Sequence, residues 1–182
     1  MRLALMLILA AASAHAQAPR AESSTSIYQL EAQLTDQDGR ARTLDLYRGH
    51  PVLIAMFYGG CPAACPLIID TLRATEKDLS PERRANLRVL MVSIDPDRDT
   101  PSALHQLAEQ RHIDTTRWTL ARTDTATVRT LAALLDVQYR RLPSGEFNHS
   151  PVITLLSPTG EIETRSLKLG TPDASLLTTL RE

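Results

Sequence analysis

Cys61 and Cys65 are the only cysteines of the chain, and they lie four positions apart, shortly after the apolar run Val52–Phe57. That run predicts a buried strand, and the leucine and isoleucine spacing of residues 66–78 predicts a helix. Two thiols at a strand-to-helix junction form either a redox couple or half of a site for a soft metal ion. Because a helix N-terminus favours thiolates, we expect the pKa of both thiols to be lowered.

The spacing of this dithiol favours metal binding. Three residues separate the cysteines, whereas the usual oxidoreductase dithiol has two, and the wider separation of the sulfurs suits bridging by an ion. Two soft thiolates prefer Cu(I), with Zn(II) as the competitor. Tyr58, which begins the dithiol segment, is expected to line the site without binding the ion. A third ligand is still needed.

His149 is the candidate third ligand. It lies just before an apolar strand predicted for residues 151–156, and Gly145 upstream is expected to make its segment mobile. A hydrogen-bonded loop histidine is the alternative to a ligand. The remaining histidines of the mature chain are expected to face solvent: His50, His105 and His112.

The loop after the second predicted buried strand, residues 87–94, supplies one more candidate. Carboxyl ends of neighbouring strands meet in an open α/β sheet, so we expect Asp95 near the dithiol. There it would tune a thiol pKa or contact a docking partner, and a purely local turn role is the alternative. Asp99 or Thr100 is expected to cap the following helix, with Pro101 near its first position.

Strands alternate with helices along the mature chain, which predicts an α/β fold. We expect a thioredoxin-like mixed central sheet flanked by helices, with an N-terminal β-hairpin. The hairpin is predicted from residues 28–34 and 41–46, around a turn at 36–39. Further strands are predicted at 52–57, 87–94, 118–121, 151–156 and 162–167, with an extended segment at 137–141. Helices are predicted at 66–78, 102–112, 125–135 and 174–180.

Residues 1–16 have the features of a secretory signal peptide. Arg2 supplies a positive charge, residues 3–12 form a short apolar segment, and residues 14–16 form a small-residue cleavage site. We therefore expect cleavage after Ala16 and a location in the periplasm or another exported compartment. An uncleaved anchor is the alternative, while the lack of a cysteine after the apolar segment excludes a lipoprotein anchor.

The mature chain is predicted to form one domain. Residues 17–26 are expected to be a disordered lead, and residues 27–182 one thioredoxin-like domain. The chain has 182 residues, 43% of them hydrophobic, which suits a single core. A formal net charge of -1 gives no indication of a nucleic-acid partner. No apolar run of about 18 residues follows the N-terminus, so membrane contact is expected only through a partner or an uncleaved anchor.

Three strings together resemble the Sco/SenC family: Tyr58-x-x-Cys61-x-x-x-Cys65-Pro66, Ser93-Ile-Asp95-Pro96-x-x-Asp99-Thr100-Pro101, and His149 before a strand and a Ser-Pro-x-Gly hairpin. They occur in order and with suitable separations over most of the mature chain. Members of this family are thioredoxin-fold copper proteins that serve assembly of the binuclear copper centre of cytochrome c oxidase. The resemblance implies Cu(I) or Cu(II) bound by Cys61, Cys65 and His149.

The resemblance implies a periplasmic protein that delivers copper to, or prepares the cysteines of, the binuclear copper site of cytochrome c oxidase. Its partners would be a copper-accepting oxidase subunit or another copper chaperone. One alternative is a thiol–disulfide oxidoreductase, which needs the dithiol and thiol–disulfide partners but not His149. The other is a redox or copper sensor that delivers no copper. Whether this metallochaperone is also an enzyme, a thiol–disulfide reductase, stays open at this point.

Overall fold

The computed structural model describes residues 25–61 and 64–182. The strands within these residues are β1 (Leu34–Asp36), β2 (Ala41–Arg42), β3 (Val52–Phe57), β4 (Arg88–Ser93), β5 (Trp118–Arg122), β6 (Tyr139–Arg141), β7 (Phe147–His149), β8 (Ile153–Leu156) and β9 (Ile162–Ser166). The α-helices are α1 (Ala64–Lys77), α2 (Pro81–Asn86), α3 (Pro101–Gln110), α4 (Thr125–Leu134) and α5 (Ala174–Arg181).

The central sheet is mixed, with the strand order β2-β1-β5-β4-β3-β8-β9. Strands β3, β4 and β5 are parallel, whereas β8 pairs with β3, and β9 with β8, in the antiparallel sense. Helices α1 and α2 connect β3 to β4, and α3 connects β4 to β5. Parallel neighbours need such crossover connections. The predicted fold, a thioredoxin-like mixed sheet flanked by helices, is confirmed.

Strand β3 lies at the centre of this arrangement. Every one of its residues is buried, because β4 and β8 pair with its two edges and α1 packs against it. The uninterrupted apolar run is the signature of such a doubly covered strand. Since β3 and β4 are parallel, their carboxyl ends lie side by side, and the chain segments that follow them begin close together. The Ile94 N–H donates to the Phe57 carbonyl across these two ends, at 2.7 Å.

Strands β6 and β7 form a separate two-stranded hairpin, in which Tyr139 pairs with His149 and Arg141 with Phe147. Gly145 lies in the turn between them with a φ of +87°, a left-handed conformation that glycine adopts without strain. The extended segment around Arg141 was predicted, but β7 was not. His149 therefore lies on a paired strand instead of a free loop.

Helices α3, α4 and α5 each begin with a side-chain cap. The hydroxyl of Thr100 accepts a hydrogen bond from the Ala103 N–H, with Pro101 in the first turn of α3, and Asp124 and Asp173 cap α4 and α5. Of the two expected candidates, Thr100 is the cap of α3 and Asp99 is not. The carboxylate of Asp99 is buried elsewhere.

The N-terminal hairpin is shorter than predicted. A 3-10 turn at Ile27–Gln29, capped by Ser26, replaces the first part of the expected strand 28–34, and β1 begins only at Leu34. A second 3-10 turn, Leu44–Tyr47, replaces the end of the expected strand 41–46. The two buried residues of this turn, Leu44 and Tyr47, lie three positions apart, which is a helical spacing and not the alternation of a strand. The antiparallel pairing of β1 with β2 remains.

Helix α2 was not predicted, because Ser80-Pro81 was interpreted only as a break. The Ser80 hydroxyl caps this helix by accepting from the Arg83 N–H, and Pro81 occupies its first turn, where a missing N–H costs little. The predicted signal peptide, residues 1–16, and all but two residues of the predicted lead lie outside the described residues. Among the residues that are described, every helix is too short or too polar to cross a bilayer.

Candidate metal centre

The dithiol is built from the loop after β3 and the first turn of α1. The Cys61 N–H donates to the Tyr58 carbonyl at 3.2 Å, which closes a turn through Gly59 and Gly60. The Cys65 N–H in turn donates to Cys61 Sγ at 3.3 Å. Cys65 is buried and Cys61 is half-buried, so one sulfur faces the core and the other is reachable from solvent.

His149 approaches the dithiol from the hairpin. Its Nε2 lies 3.9 Å from Cys65 Sγ, and the ligand atoms of Cys61, Cys65 and His149 all lie within 4.8 Å of one another. Its Nδ1 lies 3.2 Å from the Ser150 carbonyl, which can only accept, so the proton belongs on Nδ1. The Nε2 lone pair is therefore available on the side of the sulfurs. In the part of the chain that is described, this is the single group of three ligating side chains so gathered.

Burial controls the protonation of these groups. It lowers the pKa of His149 below its usual 6.5, which favours the neutral imidazole that binds metal ions. Burial also raises the pKa of Cys65, and the adjacent Cys61 raises it further. The expectation of a lowered Cys65 pKa is therefore wrong, because desolvation outweighs the helix N-terminus. A bound cation would reverse this balance, since the coordinating thiol is then deprotonated.

Tyr58 joins the two parts of the site. Its hydroxyl donates to the Phe147 carbonyl at 3.3 Å, and its ring lies 5.5 Å from the Phe147 ring and 6.0 Å from the His149 ring, edge-on to the latter. Burial raises the Tyr58 pKa, and the nearby Glu146 carboxylate raises it further, so the phenol stays a donor at neutral pH. Tyr58 thus lines the site, where the sequence placed it.

Asp99 holds the dithiol loop, a role that sequence reasoning missed. Its buried carboxylate accepts the Gly59 N–H at 2.9 and 3.1 Å and also the Ser93 hydroxyl. A Cβ on Gly59 would lie 2.7 Å from Asp99 Oδ1, so only glycine allows this approach. Burial raises the Asp99 pKa, while its hydrogen bonds with Ser93 and Gly59 oppose the rise. The Gly-Gly pair before Cys61 was the signal that could have revealed this contact.

Asp95 lies in the same loop, and its carboxylate is buried and pairs with Arg98. Arg98 then reaches the hairpin, donating from Nη2 to the Gly145 carbonyl at 2.8 Å. The carboxylate of Asp95 thus contacts Arg98. Its predicted influence on a thiol pKa stays a prediction. Arg98 itself was not identified from the sequence, where it stood among the unassigned positions of the Asp-Pro-x-x-Asp string.

The other histidines lie apart from the dithiol. His50 Nδ1 contacts the Asn86 side-chain oxygen at 2.7 Å, and His105 lies between Asp38 and Glu109, at 3.3 and 3.5 Å. His112 is exposed after α3. The structure thus brings together the three predicted ligands and leaves these histidines in other surroundings.

Comparison with known proteins adds a family and a fold. A family model described as SCO1/SenC matches residues 20–181. A putative copper-binding protein from Stutzerimonas stutzeri is 30% identical over 79 residues, which are 43% of this chain and 38% of that protein. The aligned part is less than half of the length of such curated relatives.

Two solved structures are similar over most of the chain. ScoI from Bradyrhizobium japonicum, with copper bound, has a TM-score of 0.65 at 26% identity, over 82% of this chain and 94% of that one. A putative electron transfer protein from Aquifex aeolicus has a TM-score of 0.71 at 24% identity, over 86% and 90% of the two chains. Both share the mixed sheet with flanking helices.

Proposed function

This chain belongs to the SCO1/SenC family, as its motifs predicted, and we propose on that basis that it is an exported copper-binding protein. Its copper ligands are Cys61, Cys65 and His149. It delivers copper to, or prepares the cysteines of, the binuclear copper site of cytochrome c oxidase, so its partner is a copper-accepting oxidase subunit or another copper chaperone. The signal-peptide features of residues 1–16 support the periplasm or another exported compartment.

One observation carries the proposal: three ligand atoms from two distant parts of the chain, the dithiol and His149, lie within 4.8 Å of one another. Two sulfurs and one imidazole nitrogen form a soft donor set that suits copper. The tautomer of His149 also fits, because its Nδ1 proton is directed to the Ser150 carbonyl and its Nε2 lone pair faces Cys65 Sγ. A hydrogen-bonded loop histidine would not need to lie over a dithiol.

The arrangement allows copper to be both held and released. Copper binding displaces the thiol protons, so affinity requires the reduced dithiol and rises with pH. Cys65 is buried at the start of α1, whereas His149 is half-buried on a hairpin outside the central sheet. A partner that approaches from solvent therefore meets the imidazole and Cys61 first. Replacement of these ligands by ligands of the partner is the transfer step that this geometry favours.

A competition titration tests the ligand set. Reduced wild-type protein and the variants His149→Ala and His105→Ala are titrated with Cu(I) against a chelator. His149→Ala is expected to lose affinity by at least about tenfold, since even outer-shell partners of metal ligands contribute 10–100-fold. His105→Ala, at an exposed site near Asp38, is the control and retains wild-type affinity. Equal affinities for all three proteins would remove His149 from the site.

A thiol–disulfide reductase is the second candidate, favoured by the unequal burial of the two cysteines. The Cys61 thiolate would attack a substrate disulfide, forming a mixed disulfide and releasing one substrate thiolate. Cys65 would then attack Cys61, releasing the second substrate thiol and leaving an intramolecular disulfide for an external dithiol to reduce. Turnover of a protein disulfide that is unchanged in His149→Ala, together with unchanged copper affinity, would favour this function over copper delivery.

A further inference from the structure

We propose that Arg98, oriented by Asp95, is a positioning residue for the metal centre: it holds the turn of the β6–β7 hairpin and thereby keeps His149 beside the dithiol. The inference rests on the proposed function in one respect, namely that His149 is a copper ligand. It assigns a role to two residues of the loop after β4 that are not among the three candidate ligands.

The hairpin needs such a restraint. Strands β6 and β7 pair with each other and are not part of the central sheet. An isolated two-stranded hairpin is marginally stable in water, so its position depends on side-chain contacts with the rest of the domain. Near His149 these contacts are aromatic, through Phe147 and Tyr58. At the turn, the contacts come from Arg98.

Arg98 contacts three groups at once. Its Nε pairs with the Asp95 carboxylate, its Nη2 donates to the Gly145 carbonyl at 2.8 Å, and its Nη1 lies 3.8 Å from Glu146 Oε1. The guanidinium is a rigid planar fork, so partners placed on its different nitrogens are held in fixed relative positions. A lysine ammonium at this place would keep the charge but could not join the same three groups.

The loop that carries Arg98 is itself anchored. The Asp95 N–H donates to the Ser93 hydroxyl at 3.0 Å, and the Asp95 carbonyl accepts the Asp99 N–H at 3.0 Å. Asp99 in turn binds the Gly59 N–H. One loop, residues 95–99, therefore contacts both halves of the site: Asp99 holds the dithiol loop and Arg98 holds the hairpin. Because this one segment contacts both halves, it fixes the distance between the sulfurs and the imidazole.

The contribution of Arg98 is geometric more than electrostatic. Its side chain is 43% exposed, and ion pairs at such exposure are screened and individually weak. A gap between the hairpin turn and the loop would nevertheless let the strand of His149 move relative to Cys65. Because copper needs all three ligands at once, greater freedom of one ligand lowers the affinity of the whole set.

The first test uses reduced, metal-free protein and hydrogen exchange of backbone amides. Arg98→Gln and Arg98→Lys are compared with wild type and with Arg140→Gln. Arg140 is an exposed arginine on the same hairpin and forms no ion pair with any described residue. Faster exchange confined to residues 139–149 in both Arg98 variants, and unchanged exchange in Arg140→Gln, is expected. Wild-type exchange in the Arg98 variants would overturn the proposal.

The second test separates positioning from general stability. Cu(I) affinity of Arg98→Gln is expected to fall about tenfold, within the range of outer-shell effects. In a His149→Ala background the same substitution should have no further effect, because the ligand that it positions is gone. An equal loss in both backgrounds would contradict positioning of His149. If wild type bound no copper, the proposed function would fail, while the exchange experiment would still decide whether Arg98 restrains the hairpin.

Discussion

The two halves of the metal centre are held in different ways. The dithiol follows β3, a fully buried strand; Cys65 is part of α1, and Asp99 accepts a hydrogen bond from the Gly59 N–H of the dithiol loop. His149 lies 84 residues further along, on a hairpin that pairs outside the main sheet. Under the proposed function, the anchored half would supply the two sulfurs and the peripheral half the imidazole, one of the two ligands that an approaching partner would meet first.

Removal of either sulfur is expected to have the largest effect on copper binding. Cys61→Ser and Cys65→Ser should each lower Cu(I) affinity by more than about a hundredfold, beyond the 10–100-fold range of outer-shell partners, because a hydroxyl is a poor ligand for a soft ion. His149→Ala should lose less. A competition titration with all three variants measures the order. A greater loss in His149→Ala than in either serine variant would reverse the roles of the two halves.

Gly59→Ala tests how firmly the dithiol half is anchored. The added Cβ would lie 2.7 Å from Asp99 Oδ1, so the Asp99 contact must shift, and we expect a loss of about 1–3 kcal/mol in the free energy of unfolding. Gly60→Ala is the matched control, since its Cβ would meet the Tyr58 ring at 3.9 Å, an ordinary contact. Chemical denaturation of both variants makes the measurement. Equal stabilities would show that the Asp99 contact does not anchor the loop.

The smallest expected effect concerns protonation in the hairpin half. Burial lowers the His149 pKa, so its NMR titration in metal-free protein should have a midpoint below 6.5. As the pH falls below 6.5, the unfolded chain takes up this proton before the folded chain does. His149 therefore reduces the free energy of unfolding over the window between 6.5 and its folded-state pKa. A midpoint above 6.5 would mean that the imidazole is more solvated, or closer to an anion, than the structure has it.

Most of the central architecture could be predicted from local patterns. The apolar run of β3 is buried on both faces, and the cap of α3 by Thr100 follows from a Thr-Pro pair. Predictions were wrong where tertiary contacts decide the backbone. The segment 28–34 alternates like a strand, yet the Ser26 cap and the burial of Ile27 and Tyr28 make part of it a 3-10 turn.

The site shows the same division. The cysteine pair and its place after a buried strand were legible in the sequence, because their spacing is local. The functions of Asp99 and Arg98 were not, since each depends on a partner about 40 positions or more away in the chain, Gly59 for one and Gly145 for the other. Capping rules offered Asp99 as an alternative to Thr100 at the start of α3, because they consider only neighbouring residues.

The sequence by itself determined that two cysteine thiols lie close together at the N-terminus of a helix. They are only four positions apart, and so short a segment of chain allows few other arrangements of the two sulfurs. Only the folded protein decided that the imidazole of His149 reaches those sulfurs with the correct nitrogen, and that one loop is bound to both sides of the centre. The physical reason is that long-range geometry comes from the pairing and packing of whole strands, and no short string of residues encodes it.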